Sequence, residues 1–226
     1  MILREIYLYP DLTAYPREFT SGVRFATRSV CNYLERCWLK PLKLQADFKR
    51  ICVIGSADPR MGCMINSEKV LSVEVSFSSE KWERTQGSAR HEYHIALLID
   101  GLTKIGAEHS LPIPSALACI DDFRRSHYTN KWLFKAKEIH PIGVRCELWC
   151  ELTLEVFRLH LQIFRGDALI SSEQVLETLP DELIYAHKFK DVVFVNDTLA
   201  IVDSSANRGY EVAVAKILGA ETRART

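Results

Sequence analysis

The sequence lacks the signatures that assign a function at sight. No stretch of its 226 residues approaches the roughly 18 consecutive apolar positions of a membrane-spanning helix. The opening run MILREIYLYP carries Arg4 and Glu5 among its apolar residues, so it has no charged leader, apolar centre and small-residue cleavage site, and it is predicted to be a strand. Net charge is absent too. The 29 basic residues balance 29 acidic ones, which removes any chain-wide electrostatic case for nucleic acid or an anionic membrane. The glycines spell neither a phosphate loop nor a dinucleotide fingerprint, and no Gly-x-Ser-x-Gly elbow occurs. Repeats, low-complexity segments and interdomain linkers are missing as well. These absences predict a soluble protein of the cytoplasm, without a nucleic-acid or membrane partner.

What is present is ordinary for a globular chain, 47% hydrophobic and 26% charged, and the expectation is a single domain over residues 1–226. Charge is unevenly spread. Between Glu138 and Asp203 stand 12 acidic and five basic residues, a local excess of −7 that the remainder of the chain offsets. Seven cysteines, at positions 31, 37, 52, 63, 119, 146 and 150, lie mostly in apolar segments. Their odd number predicts free, reduced thiols and a cytosol-like compartment.

The longest sustained pattern runs from Val144 to Arg165. Val144, Cys146, Leu148, Cys150, Leu152, Leu154 and Val156 alternate with Arg145, Glu147, Glu151, Thr153 and Glu155, the signature of a half-buried strand, and Trp149 and Phe157 fall on the polar side. The parity then flips, so that Leu159, Leu161 and Ile163 face inward. One extra residue near Phe157 and Arg158 is needed, as a bulge or as a bend into a new strand. Downstream, Arg165-Gly166-Asp167 and Asn196-Asp197 predict hairpin turns, and Tyr210–Leu218 is either a short helix or a last strand. Upstream, helical spacing marks a segment from Ser21 to Trp38 capped by Thr20 or Ser21, one after Gly87-Ser88 with Ile95, Leu98, Ile99, Leu102 and Ile105 on its stripe, and one opening at Pro114-Ser115. Residues 51–54 and the alternating Leu71, Val73, Val75 and Phe77 read as strands. The chain is thus helix-rich over 1–130, strand-rich over 131–218, and closes in a polar tail, 219–226. An α+β fold follows: an antiparallel sheet, mainly a hairpin meander of the C-terminal half, with helices of the N-terminal half packed on one side. A parallel doubly wound sheet fits poorly, because the second half supplies hairpins.

Two places carry candidate chemistry. His91-Glu92-Tyr93-His94, with Asp100 and His109 further on, puts two imidazoles within one helical turn, but the metalloprotease pattern needs histidines four apart and a third ligand, and no three-ligand set is apparent. No metal and no cofactor are therefore expected. Cys146 and Cys150 lie two pleats apart with Leu148 between them, a spacing that suits core filling better than a shared metal. On the strand face, Glu147, Trp149, Glu151, Glu155 and Phe157 allow two readings. Either a helix covers the rings, or the face is an exposed aromatic and acidic surface of the kind that anchors a partner protein.

The leading expectation is a non-enzymatic protein-binding module that holds a basic partner on this acidic and aromatic face. Immunity proteins and antitoxins that neutralise toxic enzymes fit by type, since complementary charge speeds their encounter with a basic toxin. The alternatives are a hydrolase or transferase built around His91, Glu92, His94 and Asp100, and a structural subunit of a larger assembly.

Overall fold

A computed structural model of the chain describes residues 1–213 and Ala215. It is an α+β protein whose contacts divide it into two compact units, Met1–Asn130 and Lys131–Thr226. The division falls where the texture of the sequence changes from helix-rich to strand-rich. No helix among the described residues is long and apolar enough to cross a membrane.

The first unit has a sheet of its own beside its helices. Strands β1 (Glu5–Pro10), β2 (Arg50–Ser56), β3 (Cys63–Ile65) and β4 (Val70–Ser76) lie in the order β1-β2-β4-β3. Both β1 and β4 run parallel to β2, and only the short edge strand β3 is antiparallel. The parallel pairing is made possible by long crossovers. Helix α1 (Arg17–Leu34) joins β1 to β2, continuing through a π-helical stretch (Glu35–Leu39) into a last turn, α2 (Lys40–Leu42). After β4 come α3 (Ser79–Arg84), α4 (Gly87–Glu108) and α5 (Ile113–Arg125). Ile6, Leu8, Ile51, Val53, Leu71, Val73 and Val75 of the strands meet Val23, Val30, Leu34, Ile95, Leu98, Leu102 and Phe123 of the helices in one core.

The free edge of β1 meets side chains of α1 and of the π-helical stretch that continues it. Thr27 Oγ1 donates to the Leu8 carbonyl (2.6 Å), the buried Arg28 guanidinium donates to the Ile6 carbonyl (2.9 Å), and the Ile6 N–H donates to Glu35 (3.0 Å). Arg28 and Glu35 also form an ion pair at 2.9 Å. Three polar groups of the edge are thereby withdrawn from pairing with another strand.

Cys37, in the π-helical stretch, and Cys119, on α5, form a disulfide across 82 residues, with Cα atoms 6.1 Å apart. This overturns the expectation that all seven thiols are free, and the compartment argument built on the odd count loses its premise. Among the described residues Cys31, Cys52, Cys63, Cys146 and Cys150 stand outside any disulfide.

The second unit is the expected antiparallel meander. Strands β5 (Lys131–Ile139), β6 (Val144–Leu152), β7 (Phe157–Arg165) and β8 (Ala168–Thr178) form one sheet in sequence order. After a short helix, α6 (Glu182–Tyr185), strands β9 (Asp191–Val195), β10 (Thr198–Val202) and β11 (Arg208–Ala213) form a second. Inward residues of the two sheets, among them Cys146, Leu148, Cys150, Leu161, Val192, Leu199 and Ile201, share a core. The turns are where the sequence places them. Gly166 has φ +57°, and Asn196 and Asp197 have φ +49° and +56°, the left-handed pair that a two-residue hairpin requires. Of the two forms open to the segment after Tyr210, β11 is the strand; Val214, Ile217 and the polar tail lie outside the described residues.

Candidate functional site

The face that the sequence singles out belongs to the β5–β8 sheet, and its geometry differs from the reading along β6 alone. Strand β6 ends at Leu152, and Thr153–Val156 is a turn held by the Thr153 hydroxyl, which accepts from the Glu155 and Val156 N–H groups (3.2 and 3.0 Å). The bend into a new strand explains the parity flip. It also moves Phe157 to the inward set of β7. Phe157 is fully buried, with its ring stacked on Tyr185 at 3.7 Å and on Phe189 at 5.6 Å, so it is core and does not belong to the surface. Leu154 and Val156, read as inward strand positions, lie in the turn. Glu155 is exposed there and stands apart from the β6 row.

The remaining residues do share a face, with partners the linear pattern does not display. Cross-strand register sets Glu151 between Lys131 and Arg158, Trp149 between Leu133 and His160, Glu147 between Ala136 and Gln162, and Arg145 between Glu138 and Phe164. Glu147 is mostly buried: it accepts from the Trp149 indole N–H (2.8 Å) and is ion-paired with Arg145. Glu151 lies 3.3 Å from the His160 ring nitrogen, Arg158 pairs with Glu177 at 2.8 Å, and the Lys131 ammonium sits 5.7 Å from the centre of the Trp149 ring. Glu147 and Glu151 of β6 are matched by Arg145 on the same strand and by Lys131 and Arg158 on the neighbouring ones. A half-buried indole therefore sits at the middle of a charge-balanced face, with Leu133 and Leu169 exposed on the outer strands.

The helical cluster is not an open site. His94 is fully buried, and its Nε2 accepts from the Trp82 indole N–H at 3.0 Å, which leaves the ring proton on Nδ1, where it has no hydrogen-bond partner among the described residues. His91 is stacked on Tyr128 at 4.7 Å and meets the edge of Phe123. Burial pushes the His91 imidazolium down to about 4, and burial with the nearby His91 and Arg90 pushes His94 down to about 3, so both rings are neutral at pH 7. Glu92 is held by Arg124 (2.7 Å) and by the Tyr128 hydroxyl (3.0 Å), and its pKa is lowered chiefly by the Arg124 hydrogen bond. Asp100 pairs with Lys104, one turn further along α4. His91 and Glu92 thus share Tyr128 as a partner, while His94 is held by Trp82 and Asp100 by Lys104.

Sequence reasoning missed one constellation. Cys63 on β3 and Glu108 and His109 at the end of α4 bring a thiol, a carboxylate and an imidazole together, with one donor atom of each within 4.8 Å of the others. The Cys63 thiol is pushed up to about 11, first by burial and then by the Glu108 charge and hydrogen bond. In the sequence His109 stands out only as a distant companion of His91, and Cys63 lies 45 residues before Glu108, so no local spacing reports the group.

No family model, curated protein or solved structure matches the chain.

Proposed function

We propose that the protein is a non-enzymatic binding module of the immunity or antitoxin type, and that the outer face of the β5–β8 sheet receives a partner protein around Trp149. The observation that supports this reading is the setting of that indole: half-buried and central on a four-stranded face, hydrogen-bonded through Nε1 to Glu147, and flanked by exposed Leu133 and by ion-paired rim charges. Aromatic anchors within a polar surround dominate the energetics of many protein interfaces. Because Lys131, Arg145 and Arg158 offset the glutamates, the ring is expected to supply most of the affinity, and charge to supply register and encounter rate. A basic toxin remains the proposed partner and the cytoplasm the proposed place of action. There the thiol pool would govern the oxidation state of the Cys37–Cys119 bridge.

Co-expression tests the proposal. A product of an adjacent gene that arrests growth should be neutralised by this chain, and the two should co-purify as a stable complex. If neighbouring products are harmless, or if arrest persists when the chain is present, the immunity reading is wrong.

A further inference from the structure

The cluster at the end of α4 has features that the binding face neither needs nor explains. Cys63 opens the edge strand β3, where it pairs with Val73 of β4. Its backbone N–H points away from the ladder and donates to both carboxylate oxygens of Glu108, each at 3.1 Å. The preceding residue, Gly62, has φ +80°, and a Cβ added there would stand 3.5 Å from Glu108 Oε1. Glycine at this turn serves the left-handed backbone conformation, and the carboxylate stands at ordinary contact distance beside it. His109 follows as the C-cap residue of α4, with its N–H on the Ile105 carbonyl, and its ring meets Phe48 edge to face at 5.3 Å. A backbone donor therefore orients the carboxylate, and an aromatic neighbour orients the imidazole.

The charge at this spot calls for a cation. The last carbonyls of a 22-residue helix carry the negative end of its macrodipole, and Glu108 adds a full negative charge there. Lys104, one turn earlier, is already engaged by Asp100 and by the Glu74 carbonyl, both at 3.0 Å. Glu108 and His109 also line a cavity of about 440 Å³ beside Phe48 and Leu111.

We propose that Cys63, Glu108 and His109 form a binding site for a divalent transition-metal ion of the zinc type, with three protein donors and a fourth position open toward this cavity. Thiolate, imidazole and carboxylate are the donor set such ions take, and bonds of about 2.0–2.3 Å require donor atoms to lie roughly 3.3–3.8 Å apart in a tetrahedron. The donor atoms, all within 4.8 Å of one another, reach that spacing by a contraction of about 1 Å at most, which side-chain torsions supply. The Cys63 N–H bonds to Glu108 would then be the outer contacts that hold a ligand in place. Such an ion would clip the edge strand β3 to the end of α4.

The test is titration of the full chain, kept reduced, with Co²⁺ and then Zn²⁺. The expected result is one equivalent bound, a thiolate-to-cobalt charge-transfer band in the near ultraviolet, and displacement of that band by zinc. Cys63→Ser should abolish the band, and His109→Gln should weaken binding by about tenfold or more. Glu108→Gln keeps an acceptor for the Cys63 N–H while removing the charge, so it should weaken binding in a protein that still folds by circular dichroism. Absence of the band in the wild-type chain, or a band that survives in Cys63→Ser, would overturn the proposal.

Discussion

At the scale of single residues, Phe157 and Trp149 show how far neighbours in one pattern can differ in role. Both stand on the polar parity of the same stretch, yet the turn at Thr153–Val156 buries one ring among Tyr185 and Phe189 and leaves the other half-buried on a sheet face. Phe157→Ala should lower the unfolding free energy by about 3–5 kcal/mol, because it opens a cavity in a stacked aromatic core. Trp149→Ala should cost about 1 kcal/mol, mostly for the Glu147 acceptor left with one partner fewer. Denaturant unfolding of the two variants without partner measures both. Equal losses would place Trp149 in a core and remove it as an anchor.

The buried histidines set a second expectation at this scale. A folded-state pKa of about 4 for His91 and about 3 for His94, against about 6.5 in the unfolded chain, means that the unfolded state takes up more protons than the folded state as pH falls through this range. Their contribution is intact above pH 6.5 and declines below it, at up to about 1.4 kcal/mol per pH unit for each ring. Carboxylates held low by arginine partners, such as Glu92 and Glu74, add their losses only nearer pH 4. Unfolding free energy should therefore fall between pH 6.5 and 4.5, and His91→Phe should roughly halve the slope over that interval. A flat profile in that range would contradict the burial of both rings.

At the scale of elements, the Cys37–Cys119 bridge ties the end of the α1 helix to α5. Closing a loop this long restricts the unfolded chain, and removing the link by Cys37→Ser should destabilise the protein by about 3 kcal/mol, readable as a lower denaturation midpoint with the fold retained. Elements were legible in the sequence where local chemistry determines them. The Asn196-Asp197 turn was readable because two adjacent residues that tolerate positive φ suffice for it, and the alternation of β6 was readable because one face is buried. Pairing between distant segments was not. The parallel β1-β2-β4 arrangement depends on connections of 39 residues (11–49) and 13 residues (57–69), and nothing in residues 51–54 announces two parallel neighbours. The neutral character of the β6 face was hidden for the same reason, since Lys131 and Arg158 come from other strands. The Cys37–Cys119 and Cys63–Glu108–His109 groupings are likewise products of tertiary packing and have no spacing to read.

At the scale of the whole molecule, an α+β chain of two compact units presents one central aromatic residue on a charge-balanced sheet face, and on that face the proposed function rests. If the face is the interface, charge reversal at Glu151 should mainly alter association, since it disturbs a rim pairing with Lys131, Arg158 and His160. Loss of the ring should act on the lifetime of the complex. The most direct measurement is the dissociation rate of the complex with the growth-arresting partner, compared between the wild-type chain and Trp149→Ala. An anchor worth about 2 kcal/mol predicts dissociation faster by about thirtyfold in a variant that remains folded. A folded Trp149→Ala protein that releases the partner at the wild-type rate would contradict the assignment of this face.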